Sequence, residues 1–110
     1  MLFLYLLAIL AIDLPYLHLS GDMYRKVMPL DGNMMLGGGI AYFSMAAALT
    51  HFAKDAQSAA LLFAVIYGTF NGTMLATHGR YTLEVAIKDT LWGTVLGAAA
   101  YTAVHKFFRQ

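Results

Sequence analysis

Polar residues fall at wide intervals along this chain and divide it into long apolar windows. Gly32 to Ala53 (22 residues) and Ala56 to Gly79 (24 residues) contain no Asp, Glu, Lys or Arg. Crossing a bilayer core of about 30 Å takes roughly 20 helical residues, so each window is long enough to span. The first window, Met1 to Ile12, reaches that length only if its helix continues through Asp13 to about Leu19. After the turn His78-Gly79-Arg80 the chain re-enters apolar sequence that carries Glu84, Lys88 and Asp89. The pattern predicts an all-α fold, one domain over residues 1–110, with helices at about 1–19, 34–53, 56–77 and 82–106. Short connections make neighbouring helices antiparallel, so the expected architecture is an integral membrane four-helix bundle, multi-pass, with the lipid bilayer as its first partner.

The first window also invites a signal-peptide reading. No basic stretch precedes it, and no small-x-small cleavage pattern comes before Asp13-Leu14-Pro15, so it reads as a retained membrane helix. Pro15 lacks an amide proton and is expected to loosen that helix after about Ala11. The segment 20–33 is the one sizeable polar connection. Asp22 to Met28 within it is placed either as a short interfacial helix, with Met23, Tyr24 and Val27 toward lipid, or as a solvated loop. Either way, Ser20 to Asp31 is the stretch through which a protein partner would be met. Lys106, Phe107, Phe108 and Arg109 form an expected anchor at the interface.

Small residues recur at helical spacing. Gly68 and Gly72, and again Gly93 and Gly97, are four apart, as are Gly37 and Ala41 and then Ser44 and Ala48 in the second helix. Such faces let helices approach closely, so helices two to four are expected to pack through them, within one chain or in a homo-oligomer. The triplet Gly37-Gly38-Gly39 is read the same way, because no phosphate-loop or dinucleotide pattern follows it, and no cofactor is implied.

Composition agrees with this picture. Apolar residues make up 60% of the chain, against about 45–50% in a soluble domain. Seven basic and six acidic residues leave a net charge of +1, which provides no basic field for nucleic acid. There is no cysteine, hence no disulfide, thiolate metal site or cysteine nucleophile. Basic residues divide almost evenly between the two ends of the bundle, so orientation is left open.

Polar residues inside the windows carry what chemistry there is. An ionised carboxylate in hydrocarbon costs about 2.5 kcal/mol or more, so Asp13 and Asp89 are expected to face the interior. Counting 1.5 Å per residue puts Asp13 about 9 Å from a helix end at Leu19, Asn71 about 9 Å from Thr77 and Asp89 about 12 Å from Tyr81. Trp92, three residues after Asp89, shares its face, and its indole N–H is the expected donor to that carboxylate. Asp13, Asn71, Asp89 and Trp92 therefore form the candidate polar cluster, as a binding site for a proton or small polar solute or as interhelical pairing. Glu84 and Lys88, one turn apart in the favourable order, are the expected ion pair. His18, Asp22, His78 and Glu84 could gather at one end, but they lack metal-ligand spacing, and no metal is expected. Ser20, Ser44 and Ser58 have no His and acid beside them to make a triad, so an enzyme, with paired carboxylates doing hydrolysis, is only the third reading.

These residues carry a resemblance. Phe70-Asn71-Gly72-Thr73-Met74-Leu75-Ala76-Thr77, then Tyr81-Thr82-Leu83-Glu84-Val85, then Asp89-x-x-Trp92-Gly93 is similar to the pattern of the four-helix membrane proteins grouped as domain-of-unknown-function family 2177. Ala11-Ile12-Asp13, with Tyr16, Leu17 and Tyr24 beyond, resembles that family's first helix. Asn71, Met74 and Tyr81-Thr82 depart from the Asp, Asn and Trp-Pro usual there. The resemblance implies a small membrane protein with no assigned activity. Members in bacteria and in large DNA viruses of algae also imply a virion or host-membrane role as an alternative.

Overall fold

The computed structural model describes residues 1–27 and 32–107, with backbone alone at Met34. Four helices account for most of them: α1 (Leu2–Arg25), α2 (Met34–Phe52), α3 (Ala56–Thr77) and α4 (Leu83–Phe107). Among the described residues there is no strand. α3 lies along α4 in the most extensive interface, α1 sits between α2 and α4, and α2 touches α3 only thinly. The result is a ring of four helices about 47 Å long.

Local chemistry sets the helix ends. Asn33 caps α2 by accepting from the Leu36 amide at 3.0 Å, and Thr82 does the same for α4 from Val85 at 3.2 Å. Between α2 and α3, Asp55 accepts from the Ser58 amide at 2.7 Å while the Ser58 hydroxyl accepts from the Asp55 amide at 3.0 Å. Two amides otherwise left without helical partners are thereby satisfied.

α1 differs from expectation at its far end. It runs unbroken through Pro15 and continues to Arg25, six residues beyond Leu19. Asp22 and Arg25 pair at 2.7 Å across its last turn. Tyr24 and Val27, expected toward lipid, are buried against Tyr81, Val85 and Ala86. Burial of those two side chains favours helical extension over a separate interfacial helix. Met28 to Asp31, the remainder of the expected partner segment, lie outside the described residues, as do Phe108 and Arg109 of the expected anchor.

Glycine use is unequal. A Cβ on Gly97 would sit 2.6 Å from the Ala59 carbonyl oxygen and 2.7 Å from the Phe63 ring, and one on Gly93 would meet the Tyr67 ring at 2.2 Å. Only hydrogen fits there, and α3 and α4 come together over those two positions. Gly68 and Gly72 have no such neighbour, and neither do Gly37, Gly38 and Gly39. The close approach therefore pairs small residues of α4 with the rings of α3 rather than one glycine face with another.

The core is layered. Near the chain ends it is apolar, built around Ile9, Leu49, Phe63, Leu96 and Val104. Toward the α3–α4 turn it becomes polar, with Asp13, Asn71 and Asp89 only 4%, 2% and 7% exposed. The outer surface is the reverse, with Phe3, Leu61, Leu91 and Ile40 all more than half exposed.

Candidate functional site

The buried polar residues form two linked groups on successive levels. In the first, Asp89 accepts from the Tyr24 hydroxyl through Oδ1 at 2.5 Å and from the Asn71 amide through Oδ2 at 2.8 Å. Asn71 is held in orientation on all sides. Its Nδ2 also donates to the Tyr67 carbonyl at 2.8 Å and, more weakly, to Thr90 at 3.2 Å, while its Oδ1 accepts from Tyr81. In the second group, Asp13 accepts from the Trp92 indole N–H through Oδ1 at 2.7 Å and from the Tyr42 hydroxyl through Oδ2.

Tyr16 joins the two. Its ring stacks on Trp92 with centroids 4.2 Å apart and planes within 6°. Its hydroxyl lies 3.4 Å from that of Tyr24. All four helices contribute: α1 Asp13, Tyr16 and Tyr24; α2 Tyr42; α3 Asn71; α4 Asp89, Thr90 and Trp92. No described buried side-chain nitrogen or oxygen lacks a hydrogen-bond partner. None of these partners is cationic.

Asn71 and Asp89 meet directly, but the two carboxyls do not meet each other, and Trp92 donates to Asp13 rather than to Asp89. The longer α1 explains both points. With its end at Arg25, Asp13 lies about 18 Å from that end, whereas Asn71 and, with α4 beginning at Leu83, Asp89 lie about 9 Å from theirs. Asp13 is therefore one level deeper, beside Trp92, and Tyr24 takes the position next to Asp89.

Lys88 and Glu84 lie 3.3 Å apart on the exposed surface, away from the cluster. An exposed pair of this kind contributes at most about 1 kcal/mol. His18, Asp22, His78 and Glu84 are all exposed, and no three His, Asp or Glu side chains among the described residues are grouped closely enough to hold a metal ion. At the other end of the molecule His105 lies 2.8 Å from the Tyr5 hydroxyl and stacks on Tyr101.

The family described as "predicted membrane protein (DUF2177)" matches residues 1–105. The chain belongs to this family. No curated protein and no solved structure matches it. The DUF2177 match spans all four helices, and with them every member of the polar cluster. By length and hydropathy two described helices, α1 and α3, are suited to crossing a membrane.

Sequence reasoning missed the phenols. Tyr42, Tyr24, Tyr81 and Tyr16 supply or link most of the donors, and one signal was available. Tyr42, Met45, Ala46 and Leu49 follow helical spacing on the buried face of α2, and a tyrosine buried on such a face needs a partner for its hydroxyl.

Proposed function

We propose that all four helices cross the bilayer and that the interior cluster of this DUF2177 protein is a proton-binding site. The reading is carried by one observation: two buried carboxyl groups whose hydrogen-bond partners are phenols, an amide and an indole, with no cation among them. In hydrocarbon a charge without a counter-ion is costly, and a proton removes it. A proton also suits a cluster packed by stacked rings better than a solute that needs a cavity. Four spanning helices are supported by the apolar outer surface, which is at least as apolar as a core that carries three buried polar side chains.

The test is pH-difference infrared spectroscopy on purified protein in lipid. A protonated-carboxyl C=O band that titrates in the wild type and vanishes in the Asp13→Asn, Asp89→Asn double variant is the expected result. Absence of such a band at every pH would count against the reading.

A second reading, that the cluster only holds the helices in register, is favoured by its complete pairing. It is the reading to adopt if no carboxyl titrates and each single Asn variant unfolds in detergent.

A further inference from the structure

The two carboxyl groups are built on one plan. Each has one oxygen facing a donor that cannot reverse and the other facing a phenol, which can either donate or accept. For Asp13 the fixed donor is the Trp92 indole N–H and the phenol is Tyr42. For Asp89 the fixed donor is the Asn71 amide and the phenol is Tyr24. The Asn71 orientation follows from its neighbours, since its NH₂ faces the Tyr67 carbonyl and the Asp89 carboxyl, both acceptors, and its oxygen faces the Tyr81 hydroxyl.

A proton that is itself to be hydrogen-bonded by these partners therefore sits on the oxygen facing the phenol, and the phenol must then accept. Its own hydrogen has to turn elsewhere, and here the two sites part. Tyr24 has a second acceptor, the Tyr16 hydroxyl at 3.4 Å. Among the described residues Tyr42 is hydrogen-bonded to Asp13 alone. Protonating Asp89 therefore leaves the Tyr24 hydrogen with an acceptor, since the carboxyl hydrogen is given to Tyr24 and the Tyr24 hydrogen turns to Tyr16 across the longer 3.4 Å contact. Protonating Asp13 would take from the half-buried Tyr42 hydroxyl its one acceptor among the described residues, and the hydrogen bond lost there is a cost that Asp89 does not meet.

The geometry points to Asp89, rather than Asp13, as the carboxyl that takes up the proton, with Tyr24 and Tyr16 as its relay. This rests on the proton-binding reading above. The groups facing Asp89 are Tyr24 and Tyr16 from α1, Asn71 from α3, and Thr90 and Tyr81 beyond Asn71. Those facing Asp13 are Tyr42 from α2 and Trp92 from α4. Tyr67 of α3 lies within electrostatic reach of both carboxyls and of Tyr42, and the two carboxyls lie within reach of each other. With no Lys, Arg or His in this set, the difference between the two carboxyls comes from hydrogen-bond direction and not from a nearby cation.

The protonated-carboxyl band separates the possibilities. It should disappear in Asp89→Asn and persist in Asp13→Asn. If Asp89→Asn does not fold, two milder variants decide: Tyr24→Phe should shift the band to higher wavenumber by removing its hydrogen-bond partner, while Tyr42→Phe should leave it in place. A band lost in Asp13→Asn, lost in both Asn variants, or shifted by Tyr42→Phe and not by Tyr24→Phe would overturn the assignment while leaving proton binding intact. No band in the wild type would overturn both.

Discussion

At the scale of single residues, the fixed donors of the cluster are the most informative positions. Trp92→Phe keeps an aromatic ring against Tyr16 but removes the one donor to Asp13 Oδ1 among the described residues. We expect a loss of about 1–2 kcal/mol in unfolding measured in mixed lipid and detergent micelles. An unchanged stability would mean that water or another group takes over that oxygen. That Asp13, Asn71 and Asp89 are interior was legible in the chain, since charged and amide side chains inside apolar windows have nowhere else to go. Their partners were not legible. Which phenol or indole reaches which carboxyl depends on how far one helix is shifted along its neighbour, and that shift followed from α1 ending at Arg25 instead of near Leu19.

At the scale of elements, the α3–α4 contact and the α2–α3 turn give opposite tests of small-residue spacing and capping. Gly97→Ala puts a methyl group 2.6 Å from the Ala59 carbonyl and should cost about 1–3 kcal/mol through forced separation of α3 and α4. Gly72→Ala meets open space and should be neutral, or stabilising by up to about 1 kcal/mol from helix propensity. Thermal unfolding of the two variants side by side checks the contrast, and equal losses would show that both glycine pairs are packed. The sequence pattern of the two pairs is the same. Only the rotation of each helix decides which pair faces a partner.

The α2–α3 turn adds a pH test. The exposed Asp55 carboxyl is held below its ordinary range, first by the Ser58 backbone N–H and then by its hydroxyl. A depressed folded value means that the cap stabilises above the unfolded value of about 3.9 and is lost as pH falls through the folded one. Asp55→Ala should therefore melt at a lower temperature than wild type at neutral pH, with the gap closing at strongly acidic pH. A gap that does not depend on pH would show that the carboxylate charge is not what caps the helix.

At the scale of the whole molecule, the proposal of four membrane crossings has a direct test, helped by the absence of native cysteine. Single variants Lys26→Cys and Gly79→Cys lie at one end of the bundle and Lys54→Cys at the other. In sealed vesicles an impermeant maleimide should label the first two from one side and the third only from the opposite side. Labelling of all three from one side would exclude the hairpin crossings. The same arrangement leads us to expect that a proton reaches the proposed site from the end of the α3–α4 turn. Asp89 lies near the α3–α4 turn, while the path beyond Asp13 toward the chain ends is closed by Ile9, Phe63 and Leu96.

The all-α class, the number of helices, the approximate extent of α2, α3 and α4, and the interior placement of three polar residues follow from the sequence alone. Apolar window length and the cost of burying a charge depend only on which residues stand where along the chain. The Asp13–Trp92, Asp13–Tyr42 and Asp89–Tyr24 hydrogen bonds, the unequal roles of the two glycine pairs and the two-level arrangement of the carboxyls were decided by the tertiary structure. Each depends on the axial shift and rotation of one helix against another. Those are set by the summed packing of many side chains at once, which no local spacing encodes.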